Sequence, residues 1–326
     1  MKSFEYFKPK ALEDASRILL SEPGSKVISG STDLLGEMKE GIAEPSILIS
    51  LSDIPNLRRI TWDEDGLTIG AMVTLSDIVS HPEIRSRCLL LAESAESVAT
   101  PQIRNVGTLG GNLCQRPRCW YYRSSRFDCA KKGGDKCFAV GGLDRYHAVI
   151  GGAGCYIVHP SDTATALVAL GASAKIFGAG SERTVPIADF FVGPDVDVTR
   201  ENILRSGELL ISVNVPPSAL DHPSSYLKAK ERQSMDFALT SSAVLLKVSD
   251  GVIFGAGVSL GGVAPVPWHL VSVETALTGI SINSIEPEII TSSVLKEAEP
   301  MSANGYKIQL SKSYLNKAIL KAASRA

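Results

Sequence analysis

Between Pro101 and His159 the chain loses the apolar periodicity of its other segments and gathers Arg, Lys, Gly and Cys instead. Five of its six cysteines, Cys114, Cys119, Cys129, Cys137 and Cys155, fall within 42 residues, and only Cys88 lies outside. An even spread over 326 residues would put fewer than one there. An irregular stretch this long inside a compact domain is normally functional, or held by something other than an apolar core. Disulfides are disfavoured by the lack of a signal segment and by the odd count. Structural zinc usually shows paired C-x2–4-C knuckles, whereas the spacing here is C-x4-C-x9-C-x7-C-x17-C. An iron–sulfur cluster needs four thiolates and tolerates irregular spacing. Buried thiols acting as small hydrophobes need no metal. Nearby Arg116, Arg118, Arg123, Arg126, Lys131, Lys132 and Lys136 would offset the charge of a thiolate-bound cluster. Spacing alone leaves these readings open.

Elsewhere the pattern mixes helix and strand. Apolar residues at 12, 15, 18 and 19 predict a helix, and Lys26–Ile28 a short strand running into Ser29-Gly30-Ser31-Thr32-Asp33. With a strand at 46–51, this makes a βαβ-like opening unit that closes a parallel pair. Segments 59–62 and 67–70 flank Asp63-Glu64-Asp65-Gly66 as a hairpin, and helices follow near 75–81 and 84–99. Regular structure resumes at Ser161-Asp162, a helix start, with strands at 174–178 and 208–215. Pro216-Pro217 and His222–Ser225 form the best linker candidate; strands at 243–248 and 252–260 and a helix over 307–323 complete the chain. The expected division is 1–57, 58–220 with an insertion at about 113–158, and 224–326.

A charge balance of 33 Lys+Arg against 35 Asp+Glu excludes an overall basic nucleic-acid footprint. Residues 1–6 carry neither an apolar signal region nor a twin-Arg motif. The longest uncharged run, Gly251–Val273, holds five Gly, Pro265 and Pro267 and cannot be a spanning helix. The expectation is a soluble, cytoplasmic chain, exported only alongside a signal-bearing partner.

Two glycine-rich segments, Ser29–Asp33 and Gly107–Asn112, could offer backbone N–H groups to a phosphate, or be plain turns. Gly257-Val258-Ser259-Leu260-Gly261 matches G-x-S-x-G, but Gly261–Pro267 cannot open the helix a nucleophile elbow requires. No H-x3–5-H pair supports a histidine metal site. Arg58-Arg59 and Lys131-Lys132 are expected to be solvated charge.

At Thr108–Asn112 a family resemblance becomes specific. The chain resembles the medium, FAD-binding subunit of the molybdenum hydroxylases, the xanthine dehydrogenase and carbon monoxide dehydrogenase family, nearly end to end. Ile28-Ser29-Gly30-Ser31-Thr32-Asp33-Leu34-Leu35 is similar to the family's A-G-G-T-D-L loop, with Ser29 and Ser31 in place of the usual Ala and Gly. Ile103–Asn112 is similar to its R-x-x-G-T-x-G-G-N loop. Ser161-Asp162, Gly207–Leu210, Tyr226–Lys228 and Gly261–Pro265 follow as landmarks in the right order. Most members run almost directly from the G-G-N loop to the Asp, whereas fifty residues separate Asn112 from Asp162 here. That insertion resembles the cluster-bearing segment of two branches, the 4-hydroxybenzoyl-CoA reductase β subunit and the flavin subunit of bacterial aldehyde oxidoreductases. Arg118-Cys119, Tyr121-Tyr122, Gly134–Cys137 and Cys155 ahead of His159 carry the likeness.

The resemblance implies an α+β chain: a two-part FAD-binding domain of the PCMH, vanillyl-alcohol-oxidase-like type, then a CO-dehydrogenase-flavoprotein-like C-terminal α/β domain. It implies FAD held by Ile28, Ser29, Gly30, Ser31, Thr32, Asp33, Leu34, Thr108, Gly110, Gly111, Asn112, Asp162, Leu210 and Lys228. It further implies one 4Fe–4S cluster on Cys119, Cys129, Cys137 and Cys155, leaving Cys114 and Cys88 spare. Implied partners are a large molybdenum-cofactor subunit, a small 2Fe–2S subunit, and an external electron acceptor or donor such as ferredoxin, a quinone or a dye. The chain would relay electrons and leave substrate to the large subunit. The competing expectation is a non-enzymatic, zinc-stabilised binding module whose loops are turns.

Overall fold

The computed structural model describes all 326 residues and resolves three sheets in chain order. β1 (Glu5–Phe7), α1 (Leu12–Ser21), β2 (Ser25–Ile28), α2 (Leu34–Lys39) and β3 (Ile47–Ser50) build a small parallel sheet of order β1-β3-β2. The opening βαβ reading therefore holds, with one strand more than the pattern predicts: β1 is fully exposed and shows no apolar alternation.

β4 (Ile60–Asp63) and β5 (Gly66–Gly70) form the expected hairpin, followed by helices α3 (Leu75–Ser80), α4 (Pro82–Arg87), α5 (Leu89–Glu96), α6 (Pro101–Arg104) and α7 (Leu109–Leu113). Thr74 opens α3 with a reciprocal capping box to Asp77. After the irregular stretch come α8 (Asp162–Ala169), β6 (Ser173–Gly178), β7 (Ser181–Pro186) and β8 (Leu209–Val215), giving a five-stranded antiparallel sheet of order β4-β5-β8-β6-β7. β7, an edge strand with four exposed residues, escapes sequence reading for the same reason as β1.

β9 (Ser224–Ala229), β10 (Thr240–Ser249), β11 (Val252–Gly261) and β12 (Trp268–His269) form the third sheet, antiparallel throughout. It is backed by α9 (Val271–Leu277), α10 (Pro287–Thr291) and the long α11 (Tyr306–Ala323). No helix is long and apolar enough to cross a membrane.

Three apolar clusters hold these layers together. One joins Ala15, Ile49 and Leu51 of the first unit to Phe177, Leu209 and Ile211 of the second. The largest, of 33 residues, includes Tyr226, Ala243 and Leu245 from the third sheet, so apolar packing crosses the 216–224 connection. At roughly 25 cal/mol per Å2 of apolar surface removed from water, such burial is the main force seating one sheet on another.

Residues 114–161 contain a single 3-10 turn at Ala130–Lys132 and no other regular element. They are held at a neck, where Asn112 Oδ1 accepts from Ser161 Oγ and from Thr163 Oγ1 (2.6 Å). Their second half docks on the C-terminal unit: Asp144 accepts from the backbone N–H groups of Ser302 and Ala303, both at 2.8 Å. Lys307, fully buried, donates to the carbonyls of Tyr146 (2.9 Å) and Gly262 (2.8 Å).

Candidate functional site

β2 delivers the chain into Ser29–Asp33, and the start of α7 lies against it. A Cβ on Gly30 would stand 2.8 Å from Gly107 Cα, and one on Gly111 would stand 2.8 Å from Ser29 Oγ. The absence of side chains at both positions is what lets the segments meet. Thr108 Oγ1 donates to Ser29 Oγ (3.1 Å) and accepts from Gly111 N (3.1 Å), sealing the junction.

The two segments differ in what they leave free. Gly107–Asn112 is mostly a capped helical turn rather than a loop. Leu109 N donates to Val73 O (2.9 Å), Gly110 N to Ala71 O (2.9 Å) and Asn112 N to Thr108 O (2.8 Å), while Thr108 Oγ1 occupies Gly111 N. In contrast, the backbone N–H groups of Ser29, Gly30, Ser31, Thr32, Asp33 and Leu34 donate to no protein acceptor. Ser31 sits at φ 60°, in the left-handed region from which backbone N–H nests are built.

All fourteen residues expected to hold FAD line one cavity of about 1010 Å3. A volume near the upper end of small-molecule sites suits a dinucleotide-sized ligand. On the lining of the same cavity, Lys228 Nζ lies 2.7 Å from Asp162 Oδ2 and donates to Ser97 O at 3.1 Å. Tyr226 Oη donates to Asp162 Oδ1 at 2.6 Å. Burial, and then the Asp162 charge, push the Tyr226 phenol well above its ordinary range. The pair is thus neutralised internally, with Asp162 as the acceptor of two side chains. Leu210, buried on β8, supplies an apolar wall.

The third wall is made by the irregular stretch, and sequence reasoning does not find it. Arg116, Arg118, Arg123, Lys131 and Lys132 all line the cavity. Asp33 accepts from Arg118, from Arg123 Nη2 (2.6 Å) and from Arg116 N (2.7 Å). Burial alone would raise the Asp33 carboxyl, but Arg118 and Arg123 outweigh it and hold it below its ordinary value. Arg116 pairs with Glu201 and lies over the Tyr122 ring, whose hydroxyl donates to Glu37. Lys131 overturns the solvated-charge expectation: its side chain is 3% exposed, 2.7 Å from Glu201. A buried ammonium persists only when paired, and Glu201 lies too far along the chain for local sequence to reveal it.

The cysteines separate into two kinds. Cys119 senses the charges of Cys137 and Cys129, and Cys155 those of Cys137 and Cys119. Burial, reinforced by these neighbours, pushes the Cys155 thiol up to about 11. Cys119 Sγ also lies 3.2 Å from His147 Nε2. Cys114, on the cavity wall, and Cys88 see no other thiol, and burial lifts each to about 12. No three His, Cys, Asp or Glu side chains converge closely enough to hold a single metal ion. The G-x-S-x-G match is inert: Ser259 is fully buried within β11, its hydroxyl unpartnered.

Comparison with known proteins adds an independent line. Residues 2–218 match the FAD binding domain in molybdopterin dehydrogenase, and residues 225–322 match the CO dehydrogenase flavoprotein C-terminal domain. The chain is 33% identical over 330 residues to the aldehyde oxidoreductase FAD-binding subunit PaoB of Escherichia coli, covering 100% of both. It is 30% identical over 265 residues to the carbon monoxide dehydrogenase medium chain of Hydrogenophaga pseudoflava, covering 80% of this chain and 75% of that one. A chain in the solved structure of that organism's carbon monoxide dehydrogenase lacking the Mo-pyranopterin moiety superimposes with a TM-score of 0.79 at 26% identity, covering 100% and 99%.

Proposed function

The chain belongs to the FAD-binding medium subunits of the molybdenum hydroxylases, and from that premise we propose that it relays electrons between the 2Fe–2S centres of a small partner subunit and an external acceptor. A large molybdenum-cofactor subunit would handle the substrate. The aldehyde-oxidising branch is favoured, because the chain is 33% identical to an aldehyde oxidoreductase subunit over the full length of both. The chain would work in the cytoplasm, or beyond it when carried by a signal-bearing partner. The proposed domain division is 1–57, 58–220 with the insertion at about 113–158, and 224–326.

One observation carries the flavin reading: six consecutive backbone amides, Ser29–Leu34, without protein acceptors on the wall of a cavity of about 1010 Å3. Unpaired N–H groups at a folded surface call for an acceptor, and a pyrophosphate supplies several oxygens together. Bound there, FAD supplies two-electron chemistry that can be drawn off in single-electron steps. Ser29–Leu34 would donate to its phosphates, Thr108–Asn112 would brace that segment from behind, and Leu210 would exclude water. Lys228, held by Asp162, would set the local charge.

Cys119, Cys129, Cys137 and Cys155 would hold a 4Fe–4S cluster, with Cys114 and Cys88 outside it. Support comes from the likeness of the insertion to the cluster-bearing branches and from the bridge between Cys129 and Lys136, which brings Cys129 beside Cys137.

The test is spectroscopy and metal analysis of the purified chain. The expectation is flavin absorbance, a broad iron–sulfur band and about four iron per chain. Cys137→Ser should abolish the iron, and Cys88→Ser should retain it. A colourless protein holding zinc alone would replace this reading with the zinc-stabilised module.

A further inference from the structure

The wall contributed by the irregular stretch does more than close the cavity. Asp33 lies within the run of free amides, and both of its oxygens are occupied from residues 116–123. Arg118 immediately precedes Cys119. Arg123 is tied back to it, its backbone N–H donating to Cys119 O at 2.9 Å. Its guanidinium also donates to Pro117 O (2.7 Å) and Arg116 O (3.0 Å), which fixes the turn from both sides. The Asp33 and Arg123 side chains are each 18% exposed, so the contact is largely shielded from water. One carboxylate thus fastens the amide run to the backbone that carries Cys119.

We propose that Arg118 and Arg123 are positioning residues that hold the Ser29–Leu34 amides in their ligand-ready shape through Asp33, coupling FAD affinity to the order of the Cys119 turn. This rests on the flavin reading above. The coupling runs both ways by thermodynamic necessity: if an ordered Cys119 turn strengthens FAD binding, bound FAD must order that turn by the same factor. FAD need not touch the cysteine, because Cys119 does not line the flavin cavity, whereas Cys114 does.

The rival explanation is that the two guanidiniums only attract phosphate through space, with Asp33 as a bystander. The explanations differ in sign at Asp33. Removing a negative charge beside a phosphate strengthens binding by simple electrostatics, whereas removing the fastening weakens it. Asp33→Asn, retaining both arginines, therefore separates them.

The experiment uses the full chain, freed of flavin by dialysis and of iron by chelation. FAD affinity is read from quenching of flavin fluorescence, and the N-ethylmaleimide reaction rate of each cysteine from mass spectrometry. The expected result is a rise in Kd of about tenfold or more for Asp33→Asn, within the range of typical coupling, with Arg123→Lys intermediate. In the unaltered chain, saturating FAD should slow alkylation of Cys119 several-fold, a readout that needs no variant to fold. Tighter or unchanged binding by a folded Asp33→Asn chain, or an unchanged Cys119 rate in a chain that demonstrably binds FAD, would overturn the proposal. Failure of the unaltered chain to bind FAD at all would overturn the flavin reading together with it.

Discussion

Lys228 Nζ and Asp162 Oδ2 meet at 2.7 Å across the cavity wall, with side chains 4% and 6% exposed. Their charges cancel where water is scarce, and Tyr226 holds the carboxylate from its other oxygen. Breaking such a pair from one side leaves an uncompensated buried charge. Lys228→Met should lower unfolding free energy by about 3–5 kcal/mol. Urea denaturation followed by circular dichroism measures the loss; a loss under about 1 kcal/mol would place the pair among exposed bridges.

The junction between the amide run and α7 tolerates no added side chain. Gly30→Ala would drive its methyl toward Val106 O and to 2.8 Å from Gly107 Cα, both backbone. Neither can swing away, so the segments must part. The expected outcome is a loss of FAD affinity of at least tenfold in a titration. Gly255→Ala on β11 is the control, since its added Cβ would meet only the Lys247 side chain, at 3.5 Å, away from the cavity; it should bind FAD normally.

Ser31 occupies φ 60°, where a Cβ is costly and glycine is at ease. Relief of the left-handed strain is worth about 1–2 kcal/mol, less the extra chain entropy of glycine of up to about 1 kcal/mol. Ser31→Gly should therefore raise stability slightly, which calorimetry of the flavin-free chain would detect. A fall in melting temperature would mean that the Ser31 hydroxyl, which donates to Gly30 O at 2.8 Å, matters more than the strain.

Lys307 gives the chain a pH dependence. Burial depresses its ammonium from 10.5 to about 7. Between those values the unfolded chain keeps a proton that the folded chain has released, so stability rises as pH rises across the window. Below about 7 both states are protonated and above about 10.5 neither is, so the contribution is flat outside it. Denaturant midpoints at several pH values should climb less steeply in Lys307→Met than in the unaltered chain. Equal slopes would assign the pH effect elsewhere.

Much of the frame is legible in the sequence, because its signals are local. Helical spacing at Leu12–Leu19, the Asp63–Gly66 turn, and the apolar runs of β10 and β11 each announce an element. The fourteen positions that the family resemblance implies for the cofactor line one cavity. What stays hidden depends on partners far away in the chain. Asp33 reads as part of a phosphate loop, but its guanidinium partners lie 85 and 90 residues on. Lys131 looks like half of a solvated doublet until Glu201 buries it. Even the apparent equivalence of the two glycine segments dissolves only with a hydrogen-bond tally, since glycine content does not reveal which amides are already engaged.

The neck at Asn112 makes the irregular stretch a detour that starts and ends at one place. Because Ser161 and Thr163 return to the same amide oxygen, nearly fifty residues enter and leave the frame at one point. Excising the segment at that point would leave strand order intact, yet it would pull Val149 from the C-terminal apolar cluster and strip Asp33 of its guanidinium partners. The insertion is therefore a closed excursion whose two halves brace different parts of the molecule.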